Sequence, residues 1–88
     1  MEKAIVTVQS KSGLHARPAS IIVSSANKFS SSITLKKKDK SANGKSLISI
    51  LGMAAANGDE LEIIAEGQDE AQAVDTLKKL FDTQLVNE

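Results

Sequence analysis

The sequence predicts an α+β fold in which an antiparallel sheet is packed by helices on one side. Three observations carry that expectation. Leu61, Ile63 and Ala65 alternate with Glu60, Glu62, Ile64 and Glu66, the period-2 signature of a strand with one buried and one wetted face. Two apolar stripes recur instead at helical spacing: Ala19, Ile22, Val23 and Ala26 in one, and Ala73, Val74, Leu77, Leu80 and Phe81 in the other. Strand and helix patterns follow one another as βα, ββ, a short apolar run, and βα, with no solenoid repeat.

The elements can be justified in order. Residues 4–8 form a first strand, with Ala4, Val6 and Val8 on one face and β-branched residues that suit a pleated surface. Residues 10–13 break it. A first helix starts between Ala16 and Pro18, because proline there lacks only an N–H that has no partner in a first turn. Asn27 and Lys28 suit its end. Ile33 and Leu35 face inward from a second strand, a turn follows near Lys38 and Asp39, and a short third strand lies around Ser41 and Ala42. That turn is not of the Asn-Gly type that specifies a hairpin strongly. Residues 46–51 read equally as a short helix or a buried strand, since periodicity does not decide so short a run. On the helical reading Ser46 is an N-cap. Asn57-Gly58 marks a turn before the fourth strand. Asp69 then opens the last helix, with Gln72 completing a capping box, and Lys78 and Lys79 suit the helix dipole.

Composition limits what the chain does. Its 88 residues allow one core, so a single domain over residues 1–88 is expected. The absence of cysteine excludes disulfides and thiolate metal sites, and a single histidine excludes a histidine cluster. Neither a metal nor a cofactor is expected. The longest largely apolar stretch, residues 47–56, is far short of the roughly 20 residues of a spanning helix. The start Met1-Glu2-Lys3-Ala4 lacks the basic segment and apolar run of a secretory signal, so the cytosol is the expected location. The formal net charge is zero, yet residues 1–45 carry nine Lys/Arg against two Asp/Glu, and residues 46–88 carry two against nine. Such a separation either steers partners or is mixed by folding, and both remain open. The lysine-rich residues 36–40 contain no aromatic side chain for stacking on bases, which argues against nucleic acid as a partner.

The chemistry is concentrated in Gly13-Leu14-His15-Ala16-Arg17-Pro18-Ala19. Gly13 permits a tight turn out of the strand. His15 then falls at a helix start, where unpaired N–H groups and the positive dipole end favour anions such as phosphate. Arg17 adds a permanent cation suited to bidentate phosphate binding. Imidazole is the side chain whose ordinary charge change falls between pH 5 and 8, so a neutral ring nitrogen is available for attack. Together these groups describe a nucleophile beside an anion site, as reversible phosphoryl transfer requires. An alternative stays open at this point: a structural histidine in a small interaction module with no phosphoryl chemistry.

Residues 13–19 resemble the active-site signature of the HPr family, the histidine-containing phosphocarriers of the bacterial sugar phosphotransferase system. Lys45-Ser46-Leu47-Ile48 is similar to the family's second signature, a regulatory serine followed by a short hydrophobic helix. Asn57-Gly58 and residues 63–70 are similar to its last turn, strand and helix start, at matching spacing over essentially the whole chain. The resemblance implies an open-faced β-sandwich, a four-stranded antiparallel sheet covered on one side by three helices (βαββαβα). It implies that His15 accepts phosphate on Nδ1 from phospho-Enzyme I and passes it to the A components of sugar-specific enzymes II, with Arg17 assisting. The protein would then be a substrate of these enzymes and not itself an enzyme. Ser46 matches the serine phosphorylated by HPr kinase in many Gram-positive bacteria. Ser12, Ala16, Ser20, Leu47, Ile48 and Leu51 are the expected partner-binding residues, Leu47, Ile48 or Leu51 leaving an apolar patch.

Further partners implied by the resemblance are HPr kinase/phosphorylase and a catabolite-control transcription factor; a monomer is expected. A paralogue serving nitrogen regulation or a dihydroxyacetone kinase fits the same motif. Regulators of this kind that only bind transcription factors often lack the histidine, so His15 argues against that branch. The chain departs from the family pattern at Ser49, across residues 52–56 and at the Lys38-Asp39 turn, none of which touches His15 or Arg17.

Overall fold

Alternating side chains select strands and helical spacing selects helices, and the elements fall in the expected order. In the computed structural model, which describes residues 1–86, they are β1 (Glu2–Thr7), α1 (Ala16–Ala26), β2 (Ser32–Lys37), β3 (Lys40–Asn43), α2 (Leu47–Gly52), β4 (Glu60–Glu66) and α3 (Glu70–Asp82). The strands pair antiparallel in the order β1-β4-β2-β3. β1 and β2 therefore flank β4 and run parallel to each other, linked by α1. One inner-face row, Ala4, Ile63, Leu35 and Ala42, crosses all four strands in register. A slip of one residue would turn that row to solvent, so burial fixes the register. The neighbouring row, Ile5, Glu62, Lys36 and Ser41, lies on the open face.

All three helices cover the inner face, giving the expected open-faced β-sandwich. Leu35, Leu61 and Ile63 from the sheet share one core with Ile22 of α1, Ile50 of α2, and Leu77 and Phe81 of α3, each 2% exposed or less. Burying each such side chain contributes about 1.5–3 kcal/mol. The α3 stripe is buried as expected, but in α1 Val23 is only half-buried and Ser25 is buried in its place.

Three local expectations change. The first strand ends at Thr7, but its bonding continues beyond it: Val8 N–H donates to the Asp59 carbonyl, and Gly58 N–H donates to the Val8 carbonyl, each at 2.8 Å. The ambiguous run after Ser46 is a helix, not a strand. The Ser46 hydroxyl accepts from Ser49 N–H at 3.3 Å, and only Ile50 of α2 is buried. The capping box of Asp69 and Gln72 does not form. Asp69 occupies the N-cap, but its carboxylate accepts the Ser30 and Ser31 backbone N–H groups, both at 2.9 Å, and the Ser31 hydroxyl. These donors from the α1–β2 loop outcompete a single helix N–H. Gly67 N–H donates to Glu70 Oε1 instead, at 3.1 Å. Gly67 is required there: at φ 152°, a Cβ would sit 2.6 Å from Ser31 Oγ.

Candidate functional site

The loop between β1 and α1 is fastened to the segment between α2 and β4. Gly13 turns the chain at φ 73°, and its N–H donates to the Ser10 carbonyl at 3.1 Å. Leu14 N–H donates to the Ala55 carbonyl at 2.9 Å, and Asn57 Nδ2 donates to the Ser10 carbonyl at 3.1 Å. The approach is close enough that a Cβ on Gly13 would lie 2.4 Å from the Ala55 oxygen. Leu14 is buried and anchors the loop, so the next residue is turned outward.

That residue is His15, exposed and at the N-cap of α1. Its backbone is extended (φ −79°, ψ −168°), and its carbonyl accepts Ala19 N–H at 3.0 Å, closing the first helical turn. The imidazole makes no capping bond, so it is not tied to its own helix. The first turn contains no acidic residue, so no carboxylate of that turn offsets the positive end of the helix dipole at His15. Arg17, Ala16 and Ser20 line part of an open groove of about 750 Å³ between α1 and α3, which also takes in Lys28, Thr76 and Gln84.

Ser12 is exposed in the loop before Gly13. Ser46 is the half-buried N-cap of α2, which packs against α1, so the two signature segments are on adjacent helices. On α2, Leu47 and Leu51 are 38% and 39% exposed and Ile48 is 83% exposed, while Ile50 is fully buried.

Charge is sorted by face. Between Lys3 and Gly58 the sole acidic residue is Asp39, in the β2–β3 turn. Thus α1, α2 and the loops leading into them carry no carboxylate, whereas Lys11, Arg17 and Lys28 are exposed there. On the sheet the two signs intermix: Lys36 is in register with Glu62, and Lys37 Nζ lies 3.0 Å from Asp59 Oδ2. Among the described residues, no group of three or more His, Cys, Asp or Glu is placed to hold a metal ion, and no helix is long and apolar enough to cross a membrane.

Two residues that build this site went unnoticed in the sequence. Asn57-Gly58 announced a turn, but not that the Asn57 amide reaches Ser10. Ala55 gave no signal at all, because its contribution is a backbone carbonyl.

An exposed imidazole without a capping bond, at a helix N-terminus whose first turn holds no carboxylate, suits a phosphoryl group. Residues 2–83 match the PTS-HPr family, described as the PTS HPr component phosphorylation site. The chain belongs to that family and is a phosphocarrier of the phosphotransferase system. It is 41% identical to the phosphocarrier protein HPr of Mycoplasma capricolum over 98% of both chains. It is similar to the crystal structure of HPr-C-His from Thermoanaerobacter tengcongensis, with TM-score 0.94 and 36% identity over 100% of this chain and 99% of the other. It is also similar to Crh, a Bacillus subtilis catabolite repression protein solved as a domain-swapped dimer, with TM-score 0.74 and 36% identity over 100% of both chains.

Proposed function

We propose that His15 carries the phosphoryl group, accepting it from phospho-Enzyme I and passing it to the A components of sugar-specific enzymes II. The observation behind this reading is the exposed His15 imidazole at the carboxylate-free start of α1. In the transfer, the lone pair of a neutral ring nitrogen (Nδ1, by the family resemblance) forms an N–P bond. The bond from phosphorus to the donor breaks, and its electron pair stays with the donor. The helix dipole and the Arg17 guanidinium stabilise charge on the phosphoryl oxygens. The reverse step delivers the group to the next acceptor, so the protein is a substrate of its partner enzymes.

The partners dock, in this reading, on Ser12, Ala16, Ser20, Leu47, Ile48 and Leu51. The apolar surface of α2 supplies buried area, and the cationic surroundings select acidic partners. Ser46 is the regulatory position: a phosphate there suits the start of α2 and places negative charge in the docking face. An ATP-dependent HPr kinase/phosphorylase and a catabolite-control transcription factor are its proposed partners. The carrier acts in the cytoplasm and as a monomer, although a relative forms a dimer; sedimentation of the phosphorylated protein checks the latter.

The experiment is phosphorylation by Enzyme I and phosphoenolpyruvate, followed by intact mass. One added phosphate, lost in mild acid, stable to base and absent in His15→Ala, is the expected result. No uptake with an active Enzyme I would overturn the assignment.

A further inference from the structure

The segment between α2 and β4 shapes the loop that presents His15, and one ion pair holds that segment. Lys37 Nζ lies 3.0 Å from Asp59 Oδ2 and donates to the Ala54 carbonyl at 3.4 Å. The same Asp59 oxygen accepts Ala56 N–H at 2.8 Å, and Asp59 N–H donates to the Ala56 carbonyl at 3.0 Å. Ala55 stands between these two fixed residues, and its carbonyl takes Leu14 N–H. Ala54 is at φ 54°, a left-handed conformation that disfavours any residue bearing a Cβ. The Lys37 contacts from β2, together with the Asp59–Ala56 bonds inside the segment, keep it in shape. Lys37 differs from Lys36 and Lys38 beside it: they are exposed, whereas Lys37 is half-buried on the inner edge of β2.

We infer that the Lys37–Asp59 pair is a positioning device for the phosphoacceptor. It sets the Ala55 carbonyl, which fixes Leu14, which in turn places His15. The inference rests on the reading of His15 as the acceptor. Neither Lys37 nor Asp59 is part of the helical face that carries His15, so the pair acts on geometry and not on phosphate binding. Phosphoryl transfer is sensitive to such geometry, because misplacement by about 1 Å lowers rates by up to roughly a hundredfold.

The test compares wild type, Lys37→Met, Lys37→Arg, Asp59→Asn and the Lys37→Met/Asp59→Asn double variant, each held well below its unfolding midpoint. Amide spectra report loop geometry, and Enzyme I with phosphoenolpyruvate reports transfer. Lys37→Met and Asp59→Asn move the Leu14 and His15 amide resonances and lower kcat for phosphorylation about tenfold, with KM nearly unchanged. Lys37→Arg, which keeps charge and donors, restores most of both. The double variant is no slower than either single one. Unmoved Leu14 and His15 resonances, or an unchanged kcat in folded Lys37→Met, would overturn the inference. So would a rise in KM alone, which would place Lys37 in the docking face. Failure of the wild type to take phosphate would sink the acceptor reading instead, and the amide resonances would still judge the clamp.

Discussion

Ser31 donates both its hydroxyl and its backbone N–H to the Asp69 carboxylate, and Ser30 N–H is a third donor. The contact ties the α1–β2 loop to the start of α3. Ser31 is only 1% exposed, so its hydroxyl needs this acceptor. The donors favour the ionised carboxylate. The Ser31 hydroxyl first, then the Ser30 N–H, hold the Asp69 pKa down from its ordinary 3.8 to about 2.

A depressed carboxylate pKa has a definite sign in the stability profile. Above pH 3.8 Asp69 is charged in both the folded and the unfolded chain, and its full contribution is present. As pH falls below that value, the unfolded chain takes up the proton first, and the contribution is lost through about pH 2. Asp59 is depressed by the Ala56 N–H and by Lys37, and falls in the same direction. Urea unfolding from pH 7 to pH 2 should therefore show a falling acid limb that is shallower in Asp69→Asn. That variant should also be less stable than wild type at pH 7. Parallel acid limbs in the two proteins would contradict the assignment.

The fold was legible wherever a pattern repeated. Alternation at Leu61, Ile63 and Ala65 and the stripe from Ala73 to Phe81 gave β4 and α3 correctly, because burial enforces those periods. The Ser46 run was ambiguous: with one buried residue in six, α2 has no complete stripe to read. Asp69 misled because the same side chain caps helices and accepts from loops, and the choice depends on Ser30 and Ser31, thirty-eight or more residues away. The position of His15 at a helix start was readable from Gly13 and Pro18. The Ala55, Asn57 and Lys37 contacts behind it were not, since they join segments only the tertiary fold brings together.

Gly13 is held by two separate constraints, a left-handed φ of 73° and the Ala55 oxygen 2.4 Å from any added Cβ. Gly58 shares only the first, at φ 91° with open space around it. Gly58→Ala should thus lose about 1 kcal/mol of stability, from conformation alone. Gly13→Ala should lose about 2–3 kcal/mol, because the loop must also withdraw from Ala55. Denaturant unfolding of both variants measures the difference. Phosphorylation of His15 should slow in Gly13→Ala and remain normal in Gly58→Ala.

At Ser46 stability and function should move in opposite directions. The hydroxyl accepts Ser49 N–H at the start of α2, so Ser46→Ala should cost about 1 kcal/mol. The substitution leaves the surrounding charge unchanged, and phosphorylation by Enzyme I should be little changed. Ser46→Asp retains a capping oxygen and suits the helix dipole, so thermal stability should equal or exceed that of wild type. The new charge nevertheless sits beside the cationic face, and the KM for Enzyme I should rise. A Ser46→Asp protein that is phosphorylated as well as wild type would remove the electrostatic basis for regulation here.

Two neighbours on α2 separate docking from folding. Ile48 is 83% exposed, whereas Ile50 is fully buried in the core shared with Leu35 and Ile63. Removing Ile50 leaves a cavity, and Ile50→Ala should lose about 2–5 kcal/mol in urea unfolding. Ile48→Asp removes little buried area and should change stability by no more than about 0.5 kcal/mol. If the apolar face of α2 is where Enzyme I docks, the same variant should weaken that complex by roughly tenfold or more, read by calorimetric titration. The contrast is diagnostic because an exposed isoleucine without a partner contributes to neither quantity. An Ile48→Asp protein with wild-type stability and wild-type affinity would therefore show that docking is carried by α1 and its cations alone.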